Sequence, residues 1–247
     1  MANNYYEATG VLMREDVTPV ISALFGAFNL DANYPGNGRA FIATIAETND
    51  PQWSDVLEGL TNLSTQLNIS PGEEPETTID VVLEALARHF HADQDKDLEN
   101  LIEHHPFDGD ADLEALFLIV SCFNDGHNLV VIQFEGCWYC SKPRLFELGG
   151  HACFISREIR LFGNSAQALE LATDLHKALR EGDLTVATAR ITLKTARLLA
   201  GVQDHNSRRE LRQRIPRVCS KIRTELSTKA AHFIHPPGRY PRWGRSA

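Results

Sequence analysis

Leu129-Val-Val-Ile-Gln-Phe-Glu-Gly-Cys-Trp-Tyr-Cys140 and, beyond a break containing Ser141-Lys-Pro-Arg144 and Gly149-Gly150, His151-Ala-Cys-Phe-Ile-Ser-Arg-Glu-Ile-Arg-Leu-Phe162 decide the fold. Both runs are rich in β-branched and aromatic residues and are bounded by turn chemistry. Leu129–Tyr139 predicts one long strand, with Gly136 as a bulge or bend. His151–Phe162 predicts a second strand, with Cys153, Ile155, Ile159 and Leu161 on one face and Ser156, Glu158 and Arg160 on the other. Antiparallel pairing is the economical arrangement for strands so close in sequence. Leu145–Leu148 is expected to be a short extended piece between them.

The flanks are helical. Asp110 or Asp112 opens an apolar helix through about Phe123, preceded by a helix from Ile79 to Phe90 and a short one at Leu98–Ile102. Asn164 or Ser165 starts a helix that Gly182 ends, and another spans Leu184–Ala200. At the amino end, Tyr5–Leu12 is strand-like, and Pro19 starts a helix that runs to about Asn29. Asn33–Arg39 reads as a turn, Ala40–Glu47 as a strand and Pro51–Ile69 as a helix. Ser70-Pro-Gly-Glu-Glu-Pro-Glu-Thr-Thr78 has linker chemistry. The pattern predicts an α+β protein: an antiparallel or mixed sheet packed with helices, plus a basic helical arm. Its expected divisions are a β-α-β-α segment (1–69), an α+β segment (77–203) and a basic arm with a disordered tail (204–247). Pro216 is expected to kink or split the arm's helix.

Charge is segregated along the chain. The 247 residues carry a net charge of −9. Eleven of the 24 Lys and Arg residues lie after Asp204, against two of the 33 acids, so the arm is about +9 and the rest about −18. This describes an acidic body with a basic extension, suited to an acidic protein face or nucleic acid. Folding back onto the body's own carboxylates is the competing reading. The amino terminus lacks a basic start and apolar run, and the apolar stretches are too short to cross a bilayer. A cytoplasmic protein with no membrane partner is expected.

Cys137, Cys140, His151 and Cys153 are zinc-ligand types at zinc-ligand spacing. Three residues is an odd step in a period of two, so a strand that continues through Cys140 points the two thiols to opposite faces. Zinc then requires a turn at Trp138-Tyr139, and packing of small thiols among large rings is the plainer expectation. A CxxC that ends a strand also lacks the helix amino terminus that redox thiols use. Trp138, Lys142 and Arg144 form a candidate anion contact at the hairpin tip. Arg208, Arg209, Arg212, Arg214 and Arg217 are the candidate contacts of the arm.

His89-Phe-His91-Ala-Asp93 matches an H-x-H-x-D metal motif but follows a helix, where the dipole alone favours histidine. Asp93–Asp97 begins like a calcium loop and lacks its glycine and closing glutamate. No GxGxxG, Walker loop, HExxH or GxSxG occurs. The leading expectation is a non-enzymatic binding or regulatory protein with no cofactor. The alternatives are a zinc module or zinc enzyme on the CxxC/HxC cluster, and an acidic mimic of nucleic acid that blocks a DNA-binding protein.

Overall fold

A computed structural model describes residues 4–70, 77–142, 145 and 147–229, with side chains as far as Arg217. Its elements, in chain order, are β1 (Asn4–Met13), α1 (Pro19–Phe25), β2 (Asp31–Pro35), β3 (Arg39–Thr44), α2 (Trp53–Gln66), α3 (Ile79–His89), α4 (Lys96–His104) and α5 (Leu113–Cys122). Then come β4 (Val131–Cys140), β5 (Gly149–Ser156), β6 (Arg160–Asn164), α6 (Ser165–Arg180), α7 (Leu184–Ala200) and α8 (His205–Lys229). A 3-10 turn, Gly26–Phe28, follows α1.

The strands form one antiparallel sheet in the order β2-β3-β1-β4-β5-β6. The amino-terminal strand is central. It pairs with β3 on one side and, over ten residues from Asn4↔Cys140 to Met13↔Val131, with β4 on the other. Residues before and after the 70–78 segment therefore share one sheet. The chain divides at 203/204, the expected start of the arm, into a unit ending at Gln203 and a unit starting at Asp204.

Local chemistry sets the helix starts. Thr18 accepts from Ile21 N–H, Pro19 occupies the first turn, and the Asp125 carboxylate accepts from Val20 N–H at 3.0 Å. Gln52 and Asp55 cap α2 reciprocally, and Asp95, Asp112, Asn164 and Asp183 cap α4, α5, α6 and α7. Each such cap typically contributes about 1 kcal/mol.

The core lies between the helices and one face of the sheet. On that face Leu12, Ile42, Ile132, Phe134 and Ile155 are buried, in contact with a cluster that includes Phe25, Leu60, Leu86 and Phe117. Burying each such side chain stabilises the fold by roughly 1.5–3 kcal/mol before the entropy of ordering it is counted.

Four readings change. Asn33–Pro35, read as the start of a turn, belongs to an edge strand, Asp31–Pro35, with every residue exposed, so it carries no alternation. His151–Phe162 is not one strand: the chain reverses at Arg157-Glu158, where Ser156 Oγ accepts from Glu158 and Ile159 N–H, giving the β5–β6 hairpin. Pro216 lies inside α8, a single helix from His205 to Lys229, so it does not split the helix. Of the 145–148 piece, Leu145 is in a turn and Glu147 and Leu148 belong to no strand. The expected disordered tail lies outside the described residues.

Candidate functional site

β-strand parity sorts the CxxC/HxC residues. Cys140, His151 and Cys153 belong to the helix-covered side of the sheet, and Cys137 to the other. Cys140 is buried opposite Asn4, Cys153 lies opposite Phe134, and exposed Cys137 lies opposite Gly150. Among the described residues no three His, Cys, Asp or Glu side chains are placed to hold a metal ion, so the four donors do not converge. Desolvation pushes the thiol of half-buried Cys153 up to about 11 and that of half-buried Cys122 up to about 12, as expected of small thiols packed among apolar neighbours.

Trp138 packs on its own sheet. Its indole lies over Gly149, and the His151 imidazole lies against Gly136. Tyr6, His151 and Trp138 form a row of nearly parallel rings, with centroids 5.5 and 6.2 Å apart. The Tyr6 hydroxyl is 3.1 Å from His151 Nε2, and desolvation raises the Tyr6 phenol to about 12. Lys142 is exposed, and Arg144 lies outside the described residues. Arg208, Arg209, Arg212, Arg214 and Arg217 are all on α8; Arg209 contacts Asn206, and Arg214 pairs with Glu210 one turn away. His89 and His91 sit at and beyond the α3 carboxy terminus, and Asp95 and Asp112 cap helices.

An open groove lies elsewhere. A groove of about 1420 Å³ opens on the sheet face opposite the core. Register resolves its floor into rows that cross the strands. The central row is Thr9–Glu135–Ala152–Gly163, three small residues and one long carboxylate on four adjacent strands, and it ends at buried Ala43 of β3. Thr9, Glu135 and Ala152 are exposed in the middle of the sheet, as is Cys137 beside them. The row on one side is Phe41–Val11–Gln133–Phe154–Leu161, apolar except at its centre. On the other side are Glu7 and Cys137, then the stacked rings of Tyr5 and Tyr139. The Tyr139 hydroxyl donates to Glu7 Oε1 at 3.1 Å. Arg39 and Tyr34 flank the groove at the β2–β3 end, and Lys194 and Leu198 of α7 at the β6 end.

The sequence carries a signal for this face. Along β1 and β4, Thr9, Glu135 and Cys137 alternate with buried positions, so one face of two central strands is written for water. Comparison with known proteins finds no matching family model, no matching curated protein and no matching solved structure.

Proposed function

We propose that this chain is a non-enzymatic binding protein that holds a segment of a partner protein on the uncovered face of its sheet, while its basic arm contacts acidic surface on that partner. The observation that carries the reading is the exposure of Thr9, Glu135, Cys137 and Ala152 on the three central strands. A sheet interior left open beside Phe41, Val11, Phe154 and Leu161 offers apolar area to an occupant and little to a small polar substrate. The helical hairpin α6–α7 supports the same reading, because Val186, Ile191 and Leu193 are 43%, 55% and 44% exposed. For the arm, the support is charge: five arginines between Arg208 and Arg217 against Glu210 alone.

The test of the arm uses the full chain and a chain ending at Asp204, each titrated with fluorescent poly-glutamate at two salt concentrations. The expected result is salt-sensitive binding by the full chain and none by the shorter one, with unchanged circular dichroism of the body. Equal binding by both chains, or by neither, contradicts the role given to the arm.

A further inference from the structure

We infer that the occupant of the groove is an amphipathic helix of about thirteen residues that places one cation over Glu135 and an apolar stripe over the Val11–Phe154 row. This inference rests on the proposed protein-binding reading and gives its partner a chemistry.

Three observations lead there. First, the floor is the face of a sheet. The backbone N–H and C=O groups of β1, β4 and β5 are spent in the plane of the sheet on neighbouring strands. A segment lying on that face receives no backbone partners from it, so it must satisfy its own, and a helix does so internally. Second, the trough crosses five strands, from Phe41 on β3 to Leu161 on β6. Four strand spacings of about 4.8 Å give about 19 Å, which a helix rising 1.5 Å per residue fills with about thirteen residues.

Third, the charges are unpaired and ordered. Glu135 is on the third of the five strands, and its carboxylate has no ion pair or hydrogen bond among the described residues. Arg39 at one end and Lys194 at the other likewise have no side-chain partner among the described residues. The complementary segment carries a Lys or Arg at its centre and acids near its two ends. Small side chains at Thr9 and Ala152 leave room for the central residue to reach the floor, and Glu7 adds a second acid one row away. A carboxylate with Val11 and Phe154 in the row beside it is partly desolvated once covered, so an occupant with the wrong sign at its centre leaves like charges facing each other.

The probes are two thirteen-residue hydrocarbon-stapled helices with the same leucine stripe and terminal acids, one with Arg and the other with Glu at the centre. They are titrated by fluorescence anisotropy against the full chain and its Glu135→Lys variant, in a Cys219→Ser background. Alkylation of Cys137, which stands in the adjacent row, reports occupancy. The expected result is at least tenfold tighter binding of the Arg peptide, slowed alkylation of Cys137 in its presence, and reversal of the preference in Glu135→Lys. Protection of Cys137 by both peptides with equal affinity overturns the charge assignment and leaves the binding face standing. No protection of Cys137 by either peptide overturns both.

Discussion

Cys137 and Cys140, three residues apart on one strand, lie on opposite sides of the sheet: Cys137 opens onto the groove and Cys140 is buried. Their reactivities must therefore differ. At pH 8, in a Cys219→Ser background, the first equivalent of maleimide is expected on Cys137. Cys140, Cys153 and Cys122 are expected to react only as the protein unfolds, since burial suppresses the thiolate of the latter two. Peptide mapping by mass spectrometry reads the order, and equally fast labelling of Cys140 would contradict the strand parity. Because the four CxxC/HxC donors do not converge, zinc or a chelator is expected to leave the thermal midpoint within about 1 °C, where a structural zinc site would move it strongly.

Gly59 fixes how closely α1 and α2 approach. A Cβ added there would stand 2.1 Å from the Ala23 carbonyl oxygen, a backbone atom that cannot swing aside. Gly59→Ala gains helix propensity worth about 1 kcal/mol. It is nevertheless expected to destabilise the protein by about 1–3 kcal/mol, because the helices must separate. Chemical denaturation measures the difference, and a neutral or stabilising effect would refute the close approach.

His127 is buried and neutral. Its Nδ1 accepts from Leu129 N–H at 2.8 Å, so its Nε2 carries the proton and donates to the Val120 carbonyl at 3.1 Å. Desolvation lowers its pKa below 6.5 in the folded state. The unfolded chain binds the proton more readily, so stability from this group is fully present above about pH 6.5 and is lost as pH falls through the lowered folded value. His127→Ala is expected to cost about 1–3 kcal/mol at pH 7.5, by leaving Leu129 N–H and the Val120 carbonyl unpaired, and to flatten the acid slope. Denaturation from pH 7.5 to 5 checks both, and an unchanged slope tells against the assignment.

Asn49 ties three pieces of chain together. Its amide donates to the Ala27 and Ala43 carbonyls at 3.0 and 2.8 Å, and its Oδ1 accepts from Ile45 N–H at 2.8 Å. Asn49→Asp turns the donating nitrogen into an acceptor facing two carbonyl oxygens. It is expected to destabilise more than Asn49→Ala, itself about 1–3 kcal/mol. Thermal scans of the two variants give the order, and the reverse order would show that the amide does not make these bonds.

Much of the fold could be read because apolar spacing and caps agree. Ile79–His89 and Leu113–Cys122 carry buried residues at helical spacing, with Asp112 at the second start. β3 and β4 likewise form where strand-favouring residues are concentrated. What could not be read was non-local. That the amino-terminal strand pairs with Val131–Cys140 depends on the whole topology, and a solvated edge strand such as Asp31–Pro35 has no buried side to betray it. Charge asymmetry was visible in composition. The groove was not, because it exists only where register aligns Thr9, Glu135 and Ala152.

The most direct measurement installs a benzophenone on Cys137 in the Cys219→Ser chain and compares it with a control carrying Glu58→Cys, exposed on α2, and Cys137→Ser. Both are irradiated with the stapled peptide that bears central Arg, and adducts are mapped by mass spectrometry. The account predicts crosslinks from position 137 that an unlabelled competitor abolishes, and none from position 58. Crosslinking of equal yield from both positions, or from neither, contradicts the claim that the uncovered sheet face is where this protein holds its partner.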